Sequence, residues 1–315
     1  MNNVMNIKDI RIVFMGTPEI SAHLLEHIIL SGFNIVGLVS QPDKLVGRKN
    51  ILEKTPTKIV AEKYNIPVFQ PLKIRKDFSF LDETKPDLIL TLAYGQIVPI
   101  EVIDYPKYKC LNFHGSILPK YRGASPIQTS LINSDEETGI TLMEMTEKMD
   151  AGDIYMIEKV KIESSDNCSS LFNKMGKAAI RLFDKALPLY LEGKLDGVSQ
   201  DECLVTYCSI IKPEEEKINF ELEGKKILGW IKALSDQPGA YLILDNQKIK
   251  IFKAELLPDC NGRIGEIIKA DKFGLHIKLK DSVLSVLELQ KEGKKRMDYK
   301  SFLNGNNSLL NKITF

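Results

Sequence analysis

The sequence predicts an α/β fold, with a mostly parallel sheet and crossover helices, followed by a smaller part built of β-strands. Three observations carry that reading. Short unbroken apolar runs, "RIVFMG" (11–16), "NIVGLVS" (34–40), "DLILTLAYG" (87–95) and "CLNFHGS" (110–116), are separated by helix-like segments, the pattern of strands covered on both faces. From about Gly193 the pattern changes to short alternating runs with turn residues between them, as in antiparallel sheets. The chain has 315 residues, 43% hydrophobic and 27% charged, which fits a globular protein of roughly two domains.

The elements follow in order. The run 11–16 ends in glycine, and the periodic segment from Glu19 to Ser31 reads as a helix closed by Gly32. Thr55 and Pro56 suit the N-cap and first position of a helix reaching about Asn65. "TGITLMEM" and "IYMIEKVKI" predict two strands around a turn at residues 150–153, and Cys168 to Leu191 a long helix. Together these give a Rossmann-like sheet over residues 1–192, in which ligands gather at the carboxyl ends of the strands where strand order reverses. The polar, glycine-containing stretch 193–206 is expected to be a linker. Residues 207–315 then predict one helix near Leu222–Leu234 and a small antiparallel barrel, OB-like, from "YLILDNQKIKIFKAELL", "GRIGEIIKA", "GLHIKLK" and "SVLSVLELQ".

Charge is divided unevenly: 24 Lys and Arg face 27 Asp and Glu up to residue 208, and 19 face 15 beyond it. The five cysteines include no Cys-x-x-Cys pair, which argues against a disulfide framework or a zinc site and for a reduced, cytoplasmic setting. "MNNVMNIKDI" lacks a basic region followed by an apolar one, and no stretch approaches the roughly 18 apolar residues of a membrane span. Neither targeting nor membrane association is expected, and a monomer is the default.

Candidate chemistry centres on "LNFHGSILPKYRGASP" (111–126). On a strand, alternate side chains share a face, so Asn112 and His114 point one way and Leu111 and Phe113 the other. A polar pair at the carboxyl end of a parallel strand faces either a ligand or a satisfied core position. Gly115 permits close backbone approach, and residues 116–119 turn the chain away.

These strings, with "MDAGDI", resemble the formyltransferase family that uses 10-formyltetrahydrofolate. "FMGTPE", "VSQPDKLVGRKN", "LAYGQIVP", "ETGITLMEM" and "LQKEGKKRM" extend the resemblance over nearly the whole chain to the methionyl-tRNA formyltransferases within that family. The resemblance implies Asn112, His114 and Asp150 as the catalytic centre. It implies Gln96, Ile97, Val98, Ser116, Ile117, Leu118 and Pro119 as contacts of the folate co-substrate, Ile117 standing where the family usually has leucine. It also implies methionyl-initiator tRNA as partner, met by Lys44, Arg48 and Lys49 in a basic loop and by Lys294, Lys295 and Arg296 beside the barrel. No metal is implied. Another transferase of the family, acting on glycinamide ribotide or an amino sugar, is the nearest alternative. Transfer to an amine develops an oxyanion, to which Asn112 and His114 would donate, while Asp150 would steady the imidazole and relay a proton.

Two further patterns compete. "HLLEH" (23–27) matches a zinc-protease spacing, but no third ligand accompanies it. Cys110 is expected to lie off the polar face of Asn112, so thiol catalysis is not expected. "FMGTPE" is neither G-x-G-x-x-G nor a Walker sequence, and Gly16 with Thr17 reads as a tight turn from strand to helix.

Overall fold

The computed structural model describes residues 9–46, 51–305 and 309–315, with the backbone alone at Val46. In chain order the elements are β1 (Ile12–Gly16), α1 (Glu19–Leu30), β2 (Ile35–Val39), β3 (Lys44–Val46), β4 (Ile51–Glu53), α2 (Pro56–Lys63), β5 (Val68–Phe69), α3 (Phe80–Thr84), β6 (Leu88–Leu92), α4 (Ile100–Ile103), β7 (Cys110–His114), β8 (Arg122–Gly123), α5 (Pro126–Ile132), β9 (Glu137–Glu144), β10 (Ile154–Lys161) and α6 (Cys168–Leu191). There follow β11 (Tyr207–Cys208), α7 (Gly224–Ala233), β12 (Ala240–Leu244), β13 (Gln247–Leu257), β14 (Ile267–Asp271), β15 (Gly274–Lys278), β16 (Val283–Lys291), β17 (Met297–Asp298) and α8 (Tyr299–Asn304). Two compact units result, one of residues 1–123, 138–160 and 172–207, the other of 124–137, 161–171 and 208–315.

In the first unit the sheet runs β10-β9-β7-β6-β1-β2-β5. β1 lies parallel between β2 and β6, and β7 lies parallel to β6 and antiparallel to β9. Every residue of β1 and β6 is buried, which is why their sequences are apolar without alternation. From β1 the chain adds β2 and β5 on one side and β6 and β7 on the other, so strand order reverses between β1 and β6. That reversal opens a crevice at their carboxyl ends. Its floor is tight: a Cβ on Gly16 would lie 2.7 Å from Ser21 Cβ and 2.9 Å from the Leu92 carbonyl oxygen. Thr17 Oγ1 donates to Tyr94 O across the switch, 2.9 Å.

Helix ends obey local chemistry. Thr55 caps α2, its hydroxyl accepting from Lys58 N at 3.3 Å, with Pro56 in the first turn. On the far face, Glu158 of β10 accepts from Lys185 at 2.9 Å and Arg181 at 2.7 Å, both on α6. Lys185 first, then Arg181, hold the Glu158 carboxyl below its ordinary value of about 4.5. A depressed carboxylate contributes stability that is present above the unfolded value and lost as pH falls through the folded one. Wild-type protein is therefore expected to lose more stability than Glu158→Gln as pH drops below about 4.5, as read by urea midpoints from pH 7 to pH 3.

The second unit holds an antiparallel sheet in the order β12-β13-β16-β15-β14, with β17 on β16. Its alternating inward residues, among them Leu242, Ile249, Ile251, Ile277, Leu284 and Val286, form one core with Ile227 and Ile231 of α7. Residues 311–315 bond to both outer strands: Ile243 and Phe315 exchange two backbone bonds of 2.7 and 2.9 Å, while Ile267 N donates to Lys312 O and Asn311 N to Ile267 O. Among the described residues no helix is long and apolar enough to cross a membrane.

Candidate active site

β7 ends at the edge of the crevice and delivers Asn112 and His114 on one face, with Leu111 and Phe113 buried on the other. The turn after β9 brings Asp150 to them. Asp150 Oδ1 lies 3.5 Å from Asn112 Nδ2 and 3.5 Å from His114 Nδ1. The three residues taken from the sequence thus converge, although Asp150 is 38 positions from Asn112.

Each is held by further contacts. His114 is 5% exposed, and its Nε2 lies 2.9 Å from the carbonyl oxygen of Tyr121. A carbonyl only accepts, so Nε2 carries the hydrogen, and in the neutral ring the lone pair is on Nδ1, facing Asp150 and the crevice. Asp150 takes φ +50°, a left-handed conformation that costs a non-glycine residue free energy and persists only where surroundings enforce it. Gly123 N donates to its Oδ2 at 2.9 Å, and Gln200 Nε2 donates to its main-chain oxygen at 2.9 Å. Gly123 and Gln200 were not among the residues read from sequence as functional. Neither had a signal there, since both act through backbone geometry or from a stretch read as linker.

The residues for which the resemblance implies folate contact divide by their surroundings. Gln96 spends its side chain on the neighbouring loop, accepting from Ile74 N at 2.8 Å and donating to Pro71 O at 3.1 Å. The main-chain groups of residues 96–98 are engaged by no hydrogen bond among the described residues, and the Ile97 side chain is 56% exposed. Beside them Tyr94 is buried with a hydroxyl that finds no partner among the described residues. Ser116 is fully buried and donates to Lys120 O at 2.6 Å, closing the turn rather than facing outward. Leu118 is buried too, its N–H donating to Thr141 Oγ1 at 3.2 Å. Ile117 and Pro119 are partly exposed.

The basic residues divide likewise. Arg48 and Lys49 lie outside the described residues. Lys44 is exposed on β3, opposite Glu53 of β4 in a short hairpin. The base of that hairpin is pinned by Lys58, which donates to Asp43 at 2.6 Å and to Gln70 at 2.8 Å. Lys294 and Lys295 are exposed between β16 and β17. Arg296 is tied down: its guanidinium bonds Asp236 and Glu288, both at 2.8 Å, and stacks 4.5 Å over the Phe252 ring.

Of the competing patterns, His27 pairs with Asp184 at 2.7 Å and His23 with Glu19 at 4.0 Å, and among the described residues no cluster suits a metal ion. The expectation for Cys110 needs correction. Strict alternation puts positions 110 and 112 on the same face of β7, so Cys110 does share it. Its thiol is nevertheless fully buried, 3.3 Å from Met145 Sδ, and burial pushes its pKa up to about 12, which keeps it from acting as a thiolate.

The family model described as formyl transferase matches residues 10–187, and that described as formyl transferase, C-terminal domain, matches residues 210–307. A methionyl-tRNA formyltransferase of Lactobacillus acidophilus is 44% identical over 94% of this chain and 96% of its own, and one of Bacillus cytotoxicus is 42% identical over the same shares. Among solved structures, an N-formyltransferase of Helicobacter canadensis in complex with folinic acid and dTDP-3-aminofucose superposes with a TM-score of 0.69 at 22% identity, covering 90% of this chain and 99% of its own. HypX of Aquifex aeolicus in complex with tetrahydrofolic acid gives 0.65 at 17% identity over 93% of this chain, which spans 47% of that longer protein. At these identities the structures share the fold.

Proposed function

The chain belongs to the formyl transferase family, matched in both of its parts, and from that premise we propose that it transfers the formyl group of 10-formyltetrahydrofolate to the α-amino group of methionyl-initiator tRNA, giving N-formylmethionyl-tRNA for translation initiation. The observation that carries the reading is the meeting of Asn112, His114 and Asp150 within 3.5 Å of one carboxylate oxygen, in a chain whose relatives of the same extent bear that activity's name.

The bound folate supplies a formyl carbon activated by its nitrogen; the chain's own groups do the rest. An α-amine, with an ordinary pKa of about 7.7 to 8.0, is partly neutral at physiological pH, so no side-chain nucleophile is required. Asn112 Nδ2 is placed to donate to the oxygen on which charge develops. His114 Nδ1, its lone pair directed into the site by the Tyr121 carbonyl, takes the proton that the amine sheds. Asp150 faces the resulting imidazolium, which would pass the proton on to the folate nitrogen as the bond from that nitrogen to the formyl carbon breaks, restoring neutral His114 and leaving tetrahydrofolate. The open main chain of residues 96–98 and the turn 116–119 hold the donor beside this trio.

Residues 1–192 form the catalytic part in this reading, 193–206 a connection, and 207–315 a tRNA-binding part. Hydrogen bonds from residues 311–315 to both outer strands of the second sheet support a closed, OB-like barrel. The protein works as a cytoplasmic monomer without a metal. Lys44, Arg48 and Lys49 engage the acceptor end, and Lys294 and Lys295 reach phosphates, with Arg296 bracing the strand that presents them. Replacing Lys294 and Lys295 by alanine is expected to raise KM for tRNA and to flatten its dependence on salt by about one unit of log–log slope per lost phosphate contact, leaving the KM for folate unchanged. Steady-state formylation between 50 and 300 mM KCl measures both.

The deciding experiment supplies 10-formyltetrahydrofolate with methionyl-initiator tRNA, uncharged initiator tRNA, glycinamide ribotide or an amino-sugar nucleotide, and follows the formyl group. Transfer confined to the charged tRNA is expected; transfer to a small amine without tRNA overturns the proposal.

A further inference from the structure

Gln200 comes from the polar stretch 193–206, yet its side chain reaches the turn that carries Asp150. Nε2 donates to two main-chain oxygens, those of Asp150 at 2.9 Å and Gly152 at 2.8 Å. Oε1 accepts from Arg122 Nε at 3.0 Å. Arginine only donates, so the amide can face just one way, with both its hydrogens toward the two carbonyls. Arg122 is 3% exposed and fixed in turn by Glu202, 2.8 Å from Nη2 to Oε1. The chain Glu202, Arg122, Gln200 therefore ends on the backbone of Asp150, whose φ of +50° needs outside support. A second support comes from the same strand as Arg122: its neighbour Gly123 donates to the Asp150 carboxylate at 2.9 Å.

We propose that Gln200 is a positioning residue for formyl transfer, clamping the main chain of Asp150 so that its carboxylate stays opposite Asn112 and His114, with Arg122 setting the orientation of the clamp. The inference rests on the reading of Asp150 given above. Gln200 touches no reacting atom, and its effect on rate passes through Asp150 alone. Bonds to the carbonyls of Asp150 and Gly152 in one turn control the direction in which the carboxylate leaves the backbone, and carboxylate misplacement of the order of 1 Å is enough to cost turnover heavily.

The test uses the full-length enzyme with methionyl-initiator tRNA and 10-formyltetrahydrofolate. Gln200→Leu removes the clamp, and Gln200→Glu keeps the partner of Arg122 while turning an oxygen toward the two carbonyls. Both are expected to lower kcat by about 10- to 100-fold, the order of loss that a misplacement of about 1 Å at the reacting groups brings, with KM for both substrates within about threefold of wild type. In an Asp150→Asn background, Gln200→Leu is expected to lower kcat by less than about threefold, because residues acting through one another are not additive. A full effect in that background, or kcat near wild type in both Gln200 variants, overturns the inference. If Gln200→Leu melts below the assay temperature, Gln200→Glu, which retains an acceptor for Arg122, decides in its place. Loss in Asp150→Asn with none at Gln200 sinks this inference alone, whereas an Asp150→Asn enzyme with wild-type kcat sinks the underlying reading and this inference with it.

Discussion

Replacing His114 with alanine is expected to reduce kcat by about 10²- to 10⁴-fold, the range in which a positioned proton acceptor operates, while KM for methionyl-tRNA moves little. The size of the effect follows from what surrounds the ring. Its Nε2 hydrogen is committed to the Tyr121 carbonyl at 2.9 Å and its Nδ1 stands 3.5 Å from Asp150, so the ring has one orientation and one free basic atom, directed into the crevice. Its neighbours are poorer substitutes: Asn112 only offers an amide, the Asp150 carboxylate already accepts from Gly123 N at 2.9 Å, and the Cys110 thiol on the same face is buried, with its pKa raised to about 12. Single-turnover measurements with saturating donor isolate the transfer step. Loss of less than about tenfold would move the proton-accepting role to another group. Thermal melting of the variant provides the folding control.

Much of this site could be read from the chain, and the reasons differ by residue. Asn112 and His114 were legible because strand alternation is local: two residues apart on an apolar run must share a face. The long helix Cys168–Leu191 and the cap at Thr55 were legible for the same reason, since periodicity and capping act within a turn or two. Asp150 was reached by resemblance, since no local pattern ties it to a strand 38 positions away. Gln200 was hidden twice over, by lying 50 positions from Asp150 and by sitting in a stretch whose composition reads as linker. Arg296 shows a different limit. Sequence counts its charge, but not the bonds to Asp236, 60 positions away, and to Glu288 that hold it against Phe252. A cation with two carboxylates in hand has little left for a phosphate, whereas Lys294 and Lys295 remain exposed.

The turn that carries Asp150 has one position where a single methyl group should disable the enzyme. A Cβ on Gly152 would collide with the carbonyl oxygen of Glu144 and would stand 2.9 Å from its carbonyl carbon and 3.1 Å from Thr146 Cγ2. The obstacle is backbone at the end of β9, where Glu144 N closes the turn by donating to Asp153 O at 2.9 Å, so it cannot swing aside as a side chain would. To admit alanine the turn must open, and opening it pulls the Gly152 and Asp150 carbonyls off Gln200. Overpacking of this kind costs roughly 1 to 3 kcal/mol of stability, and displacing the carboxylate by about 1 Å costs on the order of 10²-fold in rate. Gly152→Ala is therefore expected to fold with a lowered melting temperature, to keep its affinity for tRNA, and to lose at least about 10²-fold in kcat. Two readouts separate the causes. If stabilising the variant with glycerol or low temperature restores its folded fraction but not its turnover, the loss lies in where Asp150 points. If turnover returns in step with the folded fraction, the tight contact at Glu144 serves stability alone and the geometry of the turn is not what sets the rate.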